Sequence, residues 1–77
     1  MHVTIATVSE VFFDGQASSL SVPGTGGDMT ILPEHMPLVT TLRAGTVTVV
    51  PMGETAKTFP IEGGLLEVGG SIVTVVL

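Results

Sequence analysis

An all-β fold, of the sandwich or barrel kind, is what this sequence predicts. Three observations carry that expectation. Val and Thr dominate a chain that is 44% apolar, with no Trp or Tyr and only three Phe, and β-branched side chains suit a pleated surface. Ten Gly and five Pro supply the turns. No window sustains an apolar i, i+3, i+4 pattern, whereas strand-like runs recur at the close spacing of a sandwich or barrel.

In chain order, His2 to Ser9 alternates, with Val3 and Ile5 on one face and Ala6 and Val8 on the other. Val11 to Phe13 is a short apolar run that the dipeptide Asp14-Gly15, a strong turn signal, is expected to stop. Gln16 to Val22 is a Ser-rich strand with imperfect register, and Pro23-Gly24-Thr25-Gly26-Gly27 breaks the ladder. Met29 to Leu32, Leu38 to Leu42 and Thr46 to Val50 follow, the last two separated by Ala44-Gly45. Met52-Gly53-Glu54 reads as a hairpin tip before Thr55 to Glu62, and Gly63-Gly64 and Gly69-Gly70-Ser71 punctuate Leu65 to Val68 and Ile72 to Leu77. The reading gives eight or nine short strands in one domain, residues 1–77, with no linker, repeat or low-complexity tract.

A domain of this length buries only about 60% of the surface of its unfolded chain, so its stability is marginal. With no Cys, neither disulfides nor thiolate-bound zinc supplement the core. Yet Ile72 to Leu77 is apolar on both faces, and a sandwich strand needs only one. Two readings of that surplus stay open: burial against another protein, or edge strands folding over to close the sandwich.

The charges exclude more than they assign. Arg43 and Lys57 face seven acidic residues, for a net charge of -5. Nucleic-acid binding has no cationic source, and neither does direct docking on anionic lipid. No stretch approaches the roughly 18 apolar residues of a membrane helix. The start Met-His-Val-Thr shows no basic n-region, so no signal or transit peptide is read and a cytoplasm-like compartment is expected.

Catalytic constellations are poor. Ser9, Ser18, Ser19, Ser21 and Ser71 lie outside any nucleophile-elbow context, and the candidate base His35 is followed by Met36-Pro37. His2, His35 and the scattered carboxylates match no metal-ligand spacing, and His2 reads as a solvated terminal residue. Gly24-Thr25-Gly26-Gly27 lacks the Gly-Lys-Ser/Thr ending of a phosphate loop, and Asp28 would repel the anion. A flexible loop is the plainer reading. No catalytic residue, cofactor or metal is therefore expected.

Ile31-Leu32-Pro33-Glu34-His35-Met36-Pro37-Leu38 is the most informative segment. Two prolines restrict Leu32 and Met36 to extended geometry, so Glu34 and His35 are expected on a stiff, extended loop. Such a loop is cheap to order on binding. It is equally compatible with a buried His that satisfies backbone carbonyls at a sandwich corner.

The string Val22-Pro23-Gly24-Thr25-Gly26-Gly27-Asp28-Met29-Thr30-Ile31-Leu32-Pro33-Glu34-His35-Met36-Pro37-Leu38 resembles the epsilon subunits (delta in mitochondria) of rotary F-type ATP synthases. Val11-Phe12-Phe13-Asp14-Gly15, Leu42-Arg43-Ala44-Gly45-Thr46-Val47, Ile61-Glu62-Gly63-Gly64-Leu65-Leu66-Glu67-Val68 and Val73-Thr74-Val75 match in the same order. Together they cover nearly the whole chain.

The resemblance implies a flattened two-sheet β-sandwich of eight to ten short strands. It implies a non-catalytic rotor subunit of the central stalk, coupling the gamma subunit to the c-ring of a proton- or sodium-driven synthase, peripheral at the cytoplasmic face of a bacterial inner membrane. It carries Asp28, Glu34 and His35 over to a c-ring interface at one end, and Thr7 to the gamma interface. The c-ring loops of the family commonly carry Arg, which suits Asp28 and Glu34. Two departures stand out: Thr30 and Glu34 occupy positions where the family usually or often has Gly, and the family's C-terminal helical pair has no counterpart in these residues. The rival readings are a free-standing β-sandwich module for a small ligand or peptide, which would need an aromatic-lined pocket, and a small hydrolase centred on His35.

Overall fold

The structure, a computed structural model, describes all residues, 1–77. It is all-strand, with eight strands: β1 His2–Ala6, β2 Val11–Gly24, β3 Gly27–Ile31, β4 Leu38–Leu42, β5 Gly45–Pro51, β6 Lys57–Ile61, β7 Gly64–Gly69 and β8 Ile72–Val76. The nine segments read from the sequence become eight because Asp14-Gly15 does not turn. Both residues stay in β2, paired with Thr4 and Val3 of β1. The Asp14 carboxylate is occupied by Thr4 and His2 across the ladder, so a cross-strand partner replaces the local turn that an Asp-Gly pair otherwise favours.

At 14 residues, β2 serves two sheets. Its first part pairs with β1, and its second part pairs with β5 on one side and β3 on the other, after an irregularity between Ala17 and Ser19. One layer is therefore β4-β7-β8-β1 with the start of β2; the other is β3, the end of β2, β5 and β6. Pairings are antiparallel except β1 with β8, which run parallel from His2↔Ile72 to Ala6↔Val76. Gly24 also pairs with Leu42, joining the two layers at a second place. The result is the two-layer β-sandwich that the sequence predicts.

Alternation along each strand puts Val3, Ile5, Leu20, Ile31, Val47, Val49, Leu66, Val73 and Val75 in the space between the layers, all essentially inaccessible. The core holds fourteen apolar residues and no polar or charged one. Short branched side chains pack there without an internal hydrogen-bonding group to satisfy. Gly64, where β7 begins, is the tightest point of the backbone. Its φ is +155°, and a Cβ built there would lie 2.6 Å from the Val76 carbonyl oxygen.

Candidate functional site

Three surface features stand apart from the core. The first is an apolar row on the outer face of the β1-containing layer. Leu65, Val76, Ala6 and Val11 are register neighbours across β7, β8, β1 and β2, so their side chains share one face. Leu65, Val76 and Val11 are exposed. The surplus apolar positions noted in the sequence thus stay uncovered within the chain.

A bulge lies beside this row. The β1–β2 register passes from Ile5↔Phe13 to Ala6↔Val11, which leaves Phe12 unpaired. Phe12 meets Phe59 of β6 with ring centroids 6.3 Å apart. With Pro60 and Leu77 they line a groove of about 190 Å³, below the roughly 300 Å³ at which small-molecule pockets begin. Thr7 begins the β1–β2 loop beside the row, its amide donating to the Glu10 carbonyl at 2.8 Å. Val8, next to it, is fully exposed.

The second feature is the β2–β3 hairpin, whose two-residue turn is Thr25-Gly26. Pro23 and Gly24 remain in the ladder, opposite Asp28 and Gly27, so the ladder breaks two residues later than the sequence suggested. The hairpin is tied to β4 and the turn that follows it. The Thr25 amide donates to the Thr41 carbonyl at 3.1 Å, the Arg43 amide to the Pro23 carbonyl at 2.9 Å, and the Thr25 and Thr41 hydroxyls meet at 3.0 Å. The Arg43 guanidinium donates to the Asp28 carboxylate at 2.5 Å. Asp28 is thus not a bare charge. Thr30, one of the two positions departing from the family's Gly, sits in β3 opposite Ser21 with its hydroxyl 3.2 Å from the Ser21 hydroxyl. Its φ is not positive, and an ordinary strand accepts Thr without strain.

The third feature is the loop between β3 and β4. It is a tight turn rather than the extended segment expected from its prolines: the His35 amide donates to the Leu32 carbonyl at 3.2 Å. Pro33 and Glu34 are the central residues, and Glu34 has φ 68°. Pro followed by positive φ is a type II turn, whose second central position favours Gly. Glu34, the other departure, therefore holds a glycine conformation at a cost of about 1–2 kcal/mol. Its side chain is exposed, as are Leu32 and Met36, while His35 is half-buried with Nδ1 2.7 Å from the Met36 carbonyl oxygen. His35 so satisfies a local carbonyl, yet the loop around it faces outward.

Glu34 and His35 are not brought together with Asp28. Asp28 lies beside the hairpin turn, whereas the loop leaves from Ile31 at the other end of β3, which pairs with Leu20. The four steps from Asp28 to Leu32 span about 13 Å at strand rise. β3 pairs only with β2, so all three residues lie along one free sheet edge, though not in one patch.

Neither His faces a Ser. His2 is no free terminal residue: its Nε2 meets Asp14 at 2.5 Å and its Nδ1 lies 3.5 Å from the Gln16 amide nitrogen. The Asp14 carboxyl is held below its ordinary value, first by the His2 hydrogen bond and then by that of Thr4. No three His or carboxylate side chains converge as metal ligands. Arg43 is the residue that sequence reading missed; its charge was visible, but not the topology that carries it to Asp28, fifteen positions away.

The family model described as "ATP synthase, Delta/Epsilon chain, beta-sandwich domain" matches residues 1–77. An ATP synthase epsilon chain of Bordetella avium is 39% identical over 75 residues, covering 97% of this chain and 53% of that protein. One from Caulobacter vibrioides is 37% identical over 75 residues, covering 97% and 86%. The chain thus spans about half the length of most of the curated relatives it matches. Among solved structures, a chain of the Tetrahymena thermophila mitochondrial ATP synthase central stalk and c-ring aligns with TM-score 0.83 at 19% identity, covering 99% of this chain and 61% of that one. A chain of the Euglena gracilis mitochondrial ATP synthase aligns with TM-score 0.85 at 20% identity, covering 96% and 48%. These two establish likeness of fold.

Proposed function

The chain belongs to the ATP synthase delta/epsilon-chain β-sandwich family, and we propose on that premise that it is a non-catalytic rotor part of the central stalk, coupling a gamma subunit to a c-ring. The observation that carries this reading is the family match over the whole of residues 1–77. The surfaces support it. A coupling part needs a stiff body with two separate adhesive faces, and the apolar row and the β3 edge are carried by opposite layers of one sandwich.

The gamma-facing surface is the apolar row with Thr7 at its end. Leu65, Val76, Val11 and Phe12 supply area there that association would remove from water, at roughly 25 cal/mol per Å² before the costs of binding. The c-ring contact runs along the free edge of β3, from Asp28 at the hairpin to Glu34 and His35 on the turn beyond Ile31. An acidic edge suits a ring whose polar loops carry basic side chains. The bacterial relatives favour placement of the complex at the cytoplasmic face of an inner membrane, with this chain peripheral; no helix is long and apolar enough to cross a membrane.

Reconstitution tests the reading. An ATP synthase depleted of this chain is reconstituted with it in sealed vesicles, gamma capture is scored by co-purification, and ion flow is measured against ATP hydrolysis. Co-purification with gamma and restored coupling are the expected results; failure of both removes the proposal. A free-standing ligand-binding module has less support, because the one groove with aromatic walls is small.

A further inference from the structure

We propose that Arg43 masks Asp28, so that the pair adds no net charge to the β3 edge and Glu34 alone supplies its electrostatic attraction to a basic partner. The inference rests on the c-ring reading for its partner, but the mask itself stands on the geometry of this chain. Arg43 and Lys57 are its only Arg and Lys side chains, and each is committed to a carboxylate: Arg43 to Asp28 at 2.5 Å and Lys57 to Glu54 at 3.6 Å. Glu34 has no ion-pair partner.

The arrangement that brings Arg43 to Asp28 does not depend on the ion pair. The Arg43 amide is fixed by the Pro23 carbonyl, and Pro23 stands opposite Asp28 in the β2–β3 ladder. Gly45 lies close enough to Pro23 that an added Cβ would meet the proline ring at 3.0 Å. The backbone thus places Arg43 within reach of the carboxylate, and the planar guanidinium fork loses less freedom per hydrogen bond than a lysine would. Along the same edge, Glu34 keeps a charged side chain at φ 68°, a conformation that glycine would hold without strain. A strained, exposed and unpaired carboxylate points to a use outside the fold. Arg43 acts through Asp28 and is a positioning residue: it decides which of the two acids the partner sees.

The mask makes a prediction that a structural role would not. Attachment of the protein to detergent-solubilised c-ring is measured at low and high salt. Glu34→Gln weakens attachment at low salt by about two- to fivefold, the scale of one exposed charge contact, and the loss shrinks at high salt. Arg43→Gln uncovers Asp28 and strengthens attachment at low salt, whereas Asp28→Asn uncovers Arg43 and weakens it. The double variant Arg43→Gln/Asp28→Asn returns to within about twofold of the parent. A double variant that falls as far as Asp28→Asn overturns the mask, because Asp28 must then leave Arg43 for the ring.

The side-chain ¹⁵N NMR spectrum of Arg43 in the free protein tests the pair without any ring. Hindered guanidinium rotation in the parent, lost in Asp28→Asn, supports it, and identical spectra overturn it. If the spectra show the pair while no variant alters ring attachment at any salt, the c-ring reading fails, and the assignment of the attraction to Glu34 falls with it.

Discussion

Replacing Gly64 by Ala probes the tightest of the places where backbone meets backbone without room for a side chain. At φ +155° an L-residue enters a region that only Gly occupies freely, at about 1–3 kcal/mol. The new Cβ would also lie 2.6 Å from the Val76 carbonyl oxygen and 3.0 Å from Leu77 Cδ2. The first of these is backbone in a paired strand and cannot swing aside, so the ladder between β7 and β8 must shift, which adds about 1–3 kcal/mol. The sum is about 2–6 kcal/mol, against roughly 4–12 kcal/mol for a whole domain of this length. Urea unfolding followed by circular dichroism measures it. With m near 1 kcal/mol/M for so small a domain, the midpoint falls by about 2 M or more. Gly70→Ala is the control: φ is +61° with nothing within 4 Å of the added Cβ, so only the left-handed penalty of about 1–2 kcal/mol applies. If Gly64→Ala loses no more than Gly70→Ala, the close approach to Val76 carries no energy and the steric reasoning is wrong.

Three further outcomes follow from the same structure. Glu34→Gly removes the positive-φ strain and raises stability by about 1 kcal/mol, yet lowers c-ring attachment; thermal melts and binding together check it, and equal signs in the two assays would refute it. Val76→Asp places a charge in the exposed apolar row, so gamma binding drops by about tenfold or more while stability changes by less than about 1 kcal/mol; unchanged capture of gamma would count against the assigned face. Asp14→Asn changes the pH dependence. The Asp14 carboxyl is depressed in the fold by its hydrogen bonds to His2 and Thr4, from an ordinary value of 3.8. The native state therefore gains from ionised Asp14 above that pH and loses the gain as pH falls through the lower folded value. Denaturation should show the parent more stable than the variant near neutral pH and the two converging in acid, as pH falls through the lowered folded value; a difference that persists in strong acid would show that the carboxylate is not its source.

Much of the fold was legible because alternation reports burial directly. Val3 and Ile5, Val47 and Val49, and Val73 and Val75 each sit two apart in runs of β-branched residues, and all are buried. Local signals misled where a distant partner outweighed them. Asp14-Gly15 has the composition of a turn, but Thr4 and His2 hold the carboxylate and the strand runs through. The prolines around Glu34 and His35 pointed to an extended loop, but the chain makes a type II turn there, which depends on Glu34 accepting a glycine conformation that residue preference argues against. Asp28, Glu34 and His35 are close in sequence, and strand rise separates them along an edge. The Arg43–Asp28 pair was not legible, since the layer contact that creates it joins segments no spacing rule connects.

The parallel pairing of β1 with β8 sets a condition on how the molecule comes together. His2 opposes Ile72, seventy positions later, so β1 gains its second neighbour only when β8 reaches it. Until then β1 has β2 on one side only, and β7 has only β4. Both then offer unpaired, apolar edges of the kind that recruits other chains. Closure is entropically late, and a topology dominated by such distant pairings folds in about milliseconds to seconds rather than microseconds. The strand that shuts the sandwich is also the one that completes the apolar row through Val76. A chain in which β8 has not yet docked therefore lacks the assembled row.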